Sequence, residues 1–250
     1  MHIAIVGGTG VVGRYAVEAA QTRGHEVVVI ARSSGVNVMT GSGLAEAVHG
    51  VDVIIDVSNI ASRNRQKATD FFVRSANNLH EAASAEGVAH LVVLSIVGID
   101  RVPGFAYYDA KMAQEQAVRA GPTPSSIVRA TQFHEFAGQL LVGMSRGGVA
   151  MIPSLPIQPI AARTVGEILV DVATGDSAGV SREITGPNTM GLVSAARQTL
   201  HQRRQRRVVV PLRIPGAPGR ALRHGALLGS AATEVVGPSF SEWLRSPDFV

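Results

Sequence analysis

The sequence predicts an α/β protein built on a doubly wound parallel sheet, and three observations carry that prediction. Strand-like and helix-like segments alternate through roughly the first 130 residues, the rhythm of successive βαβ units. The runs 51–57 and 90–95 are almost continuously apolar, as strands covered on both faces must be. Glycines at 7, 8, 10 and 13 join the first apolar run to the first helical segment, the arrangement of a strand, a tight turn and a phosphate-facing helix N-terminus.

Each element follows from its pattern. The first strand spans residues 2–6 and the first helix 11–23, stopped by Gly24-His25. Strand 26–30 comes next, then a short strand near 36–39 and a helix at 43–49 ended by Gly50. Strand 51–57, helix 66–86, strand 88–95, helix 107–120 and strand 125–129 complete the alternation, with Gly87 and Gly121-Pro122 as stops. Past residue 135 the rhythm loosens. A helix at 134–145 runs into Gly147-Gly148 and a stretch with Pro153, Pro156 and Pro159, read as loop and edge structure. A helix at 164–174, a strand at 182–185, a helix from 191 and a strand at 207–212 follow. The turn 215–219 precedes another helix, and residues 240–244 form a short terminal one. The expected organisation is a Rossmann-type nucleotide-binding domain over 1–150 and a small substrate lobe over 151–250, packed on it rather than independent.

Composition narrows the class. With 250 residues, 46% hydrophobic and 17% charged, the chain has an ample core. No apolar run reaches the ~18 residues a bilayer demands, so no membrane association is expected. No charged segment precedes the first strand, so no signal peptide is expected. The absence of cysteine removes disulfides and thiolate chemistry and fits a cytoplasmic protein. No acidic residue lies between Glu183 and Glu234, while arginines recur at 197, 203, 204, 206, 207, 213, 220 and 223. No aromatic residues interleave with them, so they read as a solvated basic face rather than a nucleic-acid platform.

The glycine turn and the end of the second strand point to a dinucleotide. Gly7 lets the chain turn off the strand, Gly10 lets main-chain N–H groups approach a pyrophosphate, and Gly13 lets the helix pack closely. After the second strand stands Ala31-Arg32-Ser33-Ser34, where an NAD-binding site has an acidic residue. A guanidinium with hydroxyls suits a 2′-phosphate, so NADP is expected over NAD, with Arg14 as a second cation. Tyr107 and Lys111 are four apart at the start of a helix and share a face, while Ser95 ends the preceding strand. Such a set suits proton donation by the tyrosine, tuned by the lysine, to a carbonyl oxygen held by the serine as hydride arrives from a nicotinamide.

Gly7-x-x-Gly10-x-x-Gly13, Ser95 and Tyr107-x-x-x-Lys111 resemble the short-chain dehydrogenase/reductase superfamily, in particular its extended and atypical, NmrA-like NAD(P)-binding branch. Segments 50–56, 87–95, 126–129 and 240–244 are similar to sequences of that branch, and the likeness is close over 1–135 and loose beyond. The resemblance implies that Thr9, Gly10, Val11 and Val12 cradle the pyrophosphate and that Ser58 and Asn59 lie near the riboses. It also implies that Lys111 bonds the nicotinamide ribose and that Ala130 and Thr131 approach the nicotinamide. The segment 36–41 lacks the aspartate often placed near adenine, the Asn-Asn-Ala-Gly motif is absent, and Tyr108 is set aside because its i+4 partner is Met112.

Weaker candidates are His134-Glu135, read as a solvated pair, and Asn77-Asn78, read as ordinary helix residues able to bond a buried backbone group. Asp52 reads as a strand-entry residue and Asp56 as a strand end near the cofactor, and the histidines have no metal-ligand spacing. The expectation is an NADPH-dependent oxidoreductase acting on a small carbonyl, quinone or related acceptor. The alternatives are a non-catalytic NADP-binding sensor and a sugar-nucleotide epimerase. The expected partner is a small-molecule substrate, and a homodimer stays open.

Overall fold

The computed structural model describes residues 1–62, 64–175, 179 and 181–249. In chain order its elements begin with β1 (His2–Val6), α1 (Gly13–Thr22), β2 (Glu26–Ile30), the short α2 (Leu44–Ala47) and β3 (Val53–Asp56). Next come α3 (Arg65–Glu86), β4 (His90–Ile96), α4 (Ala106–Ala120), β5 (Ser125–Ala130), α5 (Phe136–Gly143), β6 (Ser145–Arg146) and β7 (Val149–Pro153). They continue with β8 (Pro156–Ile157), α6 (Ala162–Thr174), β9 (Ser181–Thr185), β10 (Met190–Gly191) and α7 (Leu192–Gln202). The order closes with β11 (Val208–Leu212), α8 (Gly216–Arg223), β12 (Glu234–Val235) and α9 (Phe240–Trp243).

The main sheet runs β12-β9-β5-β4-β3-β1-β2. β1 pairs in parallel with β2 on one side and β3 on the other, and β3 pairs in parallel with β4. The chain therefore reverses its direction of winding between β1 and β3. In a doubly wound sheet that switch point, at the carboxyl ends of the strands, is where ligands sit. The fold is a Rossmann-type α/β fold, as the alternation of the sequence predicts.

The described residues form two compact units. The first holds Met1–Ser95, Phe105–Arg129 and Arg163–Arg182. Its core is aliphatic: Ala4 and Val6 of β1, Ile54 of β3 and Leu91 and Val93 of β4 are buried with Ala76, Leu79 and Ala83 of α3. The 22-residue α3 has a side-chain cap at its start, where the Asn64 oxygen accepts the Lys67 N–H at 3.0 Å. It stops at Gly87, which takes the left-handed conformation such stops require. Asp52 binds the His2 N–H at 2.7 Å, anchoring the entry to β3.

One predicted element is missing. Residues 36–39 form no strand and contribute only an isolated bridge between Asn37 and Ser42. The Asn37 side-chain oxygen accepts the Met39 N–H at 2.9 Å, so a local turn takes the donor a ladder would need. Asn78 of α3 holds this segment down by donating to Val38 O at 2.8 Å, which gives that residue more than an ordinary helix role.

The second unit holds Ile96–Gly104, Ala130–Ala162 and the chain from Glu183 onward. It has a three-stranded sheet, β11-β7-β6, with β11 parallel and β6 antiparallel to β7, and an antiparallel β8–β10 pair. The inner face of the β7–β11 pair, Ala150, Ile152 and Val209, is buried with Leu141, Ala195, Leu200 and Trp243. Its outer face carries Val149, Met151, Val208 and Val210, all exposed. His134, expected as solvated, is buried against the rings of Phe240 and Trp243. Among the described residues no helix is long and apolar enough to cross a membrane.

Candidate active site

The site lies at the carboxyl ends of β1, β3 and β4 in the first unit. Gly7 leaves β1 at φ +79°, a conformation favouring glycine, and its N–H donates to Ile30 O at 2.8 Å. A Cβ on Gly13 would stand 2.1 Å from Gly7 O, so the first turn of α1 can approach the strand only as glycine. A Cβ on Gly10 would stand 3.1 Å from the same oxygen. Val12 caps α1 without a side-chain bond, and the first turn carries no acidic residue. The Arg14 and Tyr15 N–H groups bond back to Gly10 O and Val12 O, so an anion would meet the positive end of the helix dipole and the turn ahead of it. This cradle of small residues fits a dinucleotide diphosphate.

Thr9 and Arg14 are exposed beside it, and Arg14 Nη2 donates to the Tyr15 hydroxyl at 2.9 Å. Arg32 and Ser33 are exposed on a single helical turn after β2. Ser34 closes that turn by donating its hydroxyl to Ala31 O at 2.7 Å, so the local bond uses the second of the two predicted hydroxyls.

Tyr107 and Lys111 begin α4, and neither contacts the other through a direct bond. The Tyr107 hydroxyl donates to Asn59 Oδ1 at 3.0 Å. That oxygen also accepts the Ile60 N–H at 2.8 Å, which fixes the amide with its oxygen toward the phenol. Burial pushes the Tyr107 phenol up to about 12, against its bond with Asn59, so the phenol is protonated near neutral pH. Tyr108 stacks on Phe105 and is also pushed up, by burial and by the neighbouring phenol.

Lys111 is almost fully buried. Its Nζ donates to Leu94 O at 2.8 Å and to Gln114 Oε1, and lies 4.8 Å from the centre of the Phe72 ring. Burial pulls the ammonium down to about 8, against the charges of Asp56 and Glu115. Asp56, at the end of β3, is 1% exposed and accepts the Ser58 N–H at 2.8 Å and Gln114 Nε2 at 3.1 Å. Burial raises its carboxyl, against the bonds from Ser58, the charge of Lys111 and the bond from Gln114.

Ser95 is buried near the end of β4. Glu115 receives Arg129 in a two-pronged bond at 2.8 Å and Arg119 at 3.1 Å. Burial raises the Glu115 carboxyl, yet the bonds from Arg129, the nearby Ser95 hydroxyl and the two guanidinium charges leave it lowered overall. The structure thus brings Tyr107 to Asn59, while the buried Ser95 hydroxyl makes no hydrogen bond. Thr131 belongs to the second unit, where its hydroxyl donates to Gln158 O at 2.6 Å and to Thr185. The parts that sequence reasoning missed are Gln114, Glu115 and the partnership of Asn59 with the phenol. One signal was available. Of the 23 lysines and arginines only Lys67 and Lys111 are lysines, so an ammonium at 111 stands out against an arginine-rich background.

This geometry defines an NAD(P)-binding protein of the Rossmann oxidoreductase class. Residues 7–174 match the model of the NAD(P)H-binding family, and the chain belongs to that family. A (4-alkanoyl-5-oxo-2,5-dihydrofuran-3-yl)methyl phosphate reductase of Streptomyces griseus is 26% identical over 213 residues, 79% of this chain and 71% of that protein. Among solved structures, MoeE5 in complex with UDP-glucose and NAD is similar at TM-score 0.76 and 15% identity, over 99% of this chain and 97% of that one. An NADPH-dependent quinone oxidoreductase (QOR2) from Escherichia coli is similar at TM-score 0.66 and 16% identity, over 97% and 98% of the two chains. These likenesses to solved structures are likenesses of fold.

Proposed function

We propose that the protein is an NADPH-dependent reductase of the extended short-chain type, acting in the cytoplasm on a small carbonyl, quinone or related acceptor. One juxtaposition carries the reading: a protonated tyrosine bonded to Asn59 in the loop after β3, beside the glycine turn, and one helical turn on along α4 a buried ammonium bonded to Leu94 O of β4. The Streptomyces griseus relative is a reductase and the Escherichia coli neighbour an NADPH-dependent quinone oxidoreductase, which supports the same chemistry here.

In the turn that holds the diphosphate, Thr9, Val11, Val12 and Gly13 offer main-chain N–H groups, Gly7 and Gly10 shape the turn, and Arg14 is a nearby cation. Arg32 and Ser33 take the 2′-phosphate of the adenosine ribose. Ser58, Asn59 and Lys111 face the riboses. Bound NADPH supplies the hydride that reduces the acceptor. Tyr107 enters the reaction protonated near neutral pH and releases its phenolic proton to the acceptor oxygen. The Lys111 ammonium favours the phenolate left behind, because its charge lies on the same helix face. The Ser95 hydroxyl orients the acceptor oxygen.

Calorimetry on Arg32→Asp tests the cofactor choice. NADPH should weaken more than NADH by about 1–3 kcal/mol, the worth of a lost charged bond, and equal weakening of both removes the assignment. A panel of carbonyls and quinones tests the chemistry. Tyr107→Phe should lower turnover by roughly 10²–10⁴-fold with nucleotide affinity retained. Binding without turnover by the unaltered protein across the panel would favour a nucleotide sensor instead.

A further inference from the structure

Asp56 is a carboxylate at the end of an otherwise apolar strand, Val53-Ile54-Ile55-Asp56, and it is almost wholly withdrawn from solvent. Such a group is retained in a core only if its bonds outweigh the cost of burying it. Its two oxygens serve different neighbours. Oδ1 accepts the Ser58 N–H at 2.8 Å, which fixes the turn of the chain immediately before Asn59. Oδ2 accepts Gln114 Nε2 at 3.1 Å, and the same Gln114 amide presents its oxygen to Lys111 Nζ. The amide of Gln114 is therefore oriented from both sides, with a donor on one end and an acceptor on the other.

We infer that Asp56 is a positioning residue serving both proposed catalytic groups, placing the Lys111 ammonium through Gln114 and the Tyr107 phenol through the Ser58-Asn59 turn. The inference rests on the reading of Tyr107 and Lys111 as the reacting pair and adds what holds them. The Gln114 bridge stands between carboxylate and ammonium, so the charges meet through an amide and the ammonium keeps its bond to Leu94 O. The groups facing Lys111 are Asp56 from β3, the Phe72 ring from α3 and Glu115 from its own helix, with Glu115 already engaged by Arg119 and Arg129. Asp56 is then the carboxylate in this set without an arginine partner, and its charge is directed to the lysine.

The test uses the full chain without nucleotide and follows two titrations by nuclear magnetic resonance. With only two lysines, ¹⁵N-lysine labelling gives two Nζ signals that Lys67→Arg assigns. With three tyrosines, 3-fluorotyrosine, whose phenol is more acidic, gives three ¹⁹F signals that Tyr107→Phe assigns. Gln114→Leu should lower the Lys111 midpoint by at least one pH unit, a tenfold loss of proton affinity, and leave the Tyr107 signal in place. Asn59→Ala should move the Tyr107 signal alone. Asp56→Ala should move both. Should that variant fail to fold, Asp56→Asn serves, since its amide keeps an acceptor for Ser58 but opposes the Gln114 donor and so lowers the Lys111 midpoint. An Asp56 variant that folds and leaves the Lys111 midpoint unmoved overturns the inference, as does a Gln114→Leu protein in which both signals move together. Neither titration involves the nucleotide, so a failure of NADPH to bind in calorimetry strikes the proposed function and leaves this result standing.

Discussion

Two parallel strand pairs, one in each unit, look alike in sequence and differ in burial. In the first unit, Ile3, Ala4 and Ile5 of β1 and Ile54 and Ile55 of β3 are all 0% exposed, because both faces of the sheet are covered. In the second unit, β7 and β11 are also apolar and parallel, yet only two residues of β7 and one of β11 are buried. Ala150, Ile152 and Val209 point inward, while Val149, Met151, Val208 and Val210 remain 38–64% exposed. The comparison teaches that an apolar run announces a strand without saying how many of its faces are covered. Coverage is decided by what the connections place above and below the sheet.

That contrast makes unequal demands on substitutions. The largest effect belongs to the doubly covered core: Leu79→Ala on α3 should cost about 2–5 kcal/mol in urea unfolding, since a fully buried side chain leaves a cavity. A loss under 1 kcal/mol would mean the packing of α3 on the sheet is far looser than its burial indicates. In the second unit the sharpest test is a buried polar group. Burial pulls His134 down to about 4 from an ordinary value of 6.5, against its bond to Pro238 O. The unfolded chain therefore takes up this proton first. Stability should fall as pH drops from about 6.5 toward 4, by on the order of 3 kcal/mol in total, and flatten below. His134→Gln should flatten that slope in unfolding experiments across the same range, leaving the part due to His80 and His90, which burial also lowers.

Next comes the glycine turn. Gly13→Ala forces backbone movement against Gly7 O and should cost roughly 1–3 kcal/mol, with at least a tenfold loss of nucleotide affinity in calorimetry. An alanine protein that binds as tightly as its parent would show the approach of α1 to β1 to be dispensable. The smallest effect is expected on the open face. Val210→Thr keeps the branched shape on an exposed strand position and should change stability by no more than about 0.5 kcal/mol. A larger loss would reveal that the outer face is covered in solution.

The same physics explains what could be read in advance. The glycine spacing, the strand–helix alternation and the turn from β1 into α1 are local, and each was legible from neighbouring residues. Boundaries were less so: the strand expected over 51–57 is Val53–Asp56, and the helix expected over 43–49 is Leu44–Ala47. The strand expected near 36–39 failed because the Asn37 side chain competes for a backbone donor, which hydropathy does not register. His134 looked solvated because its burial comes from Phe240 and Trp243, about a hundred residues later in the chain. In the site, the Tyr107–Lys111 spacing was visible because helix geometry is local. Asn59 and Asp56 were placed near the cofactor, but their bonds, and Gln114, were not read because they join β3, its loop and α4 through the fold.

β11 forms one edge of its three-stranded sheet, with Val208 and Val210 turned outward and Pro211 lacking the N–H that a docking strand would need. Arg206 and Arg207 precede that strand and Arg213 follows it. Cations beside a sticky edge keep colliding copies of the chain apart, a protection that weakens as dissolved ions shrink the reach of each charge from about 10 Å at 0.1 M to about 3 Å at 1 M. Dilution from denaturant should accordingly return less monomer from concentrated brine than from dilute buffer, with turbidity as the record of the difference.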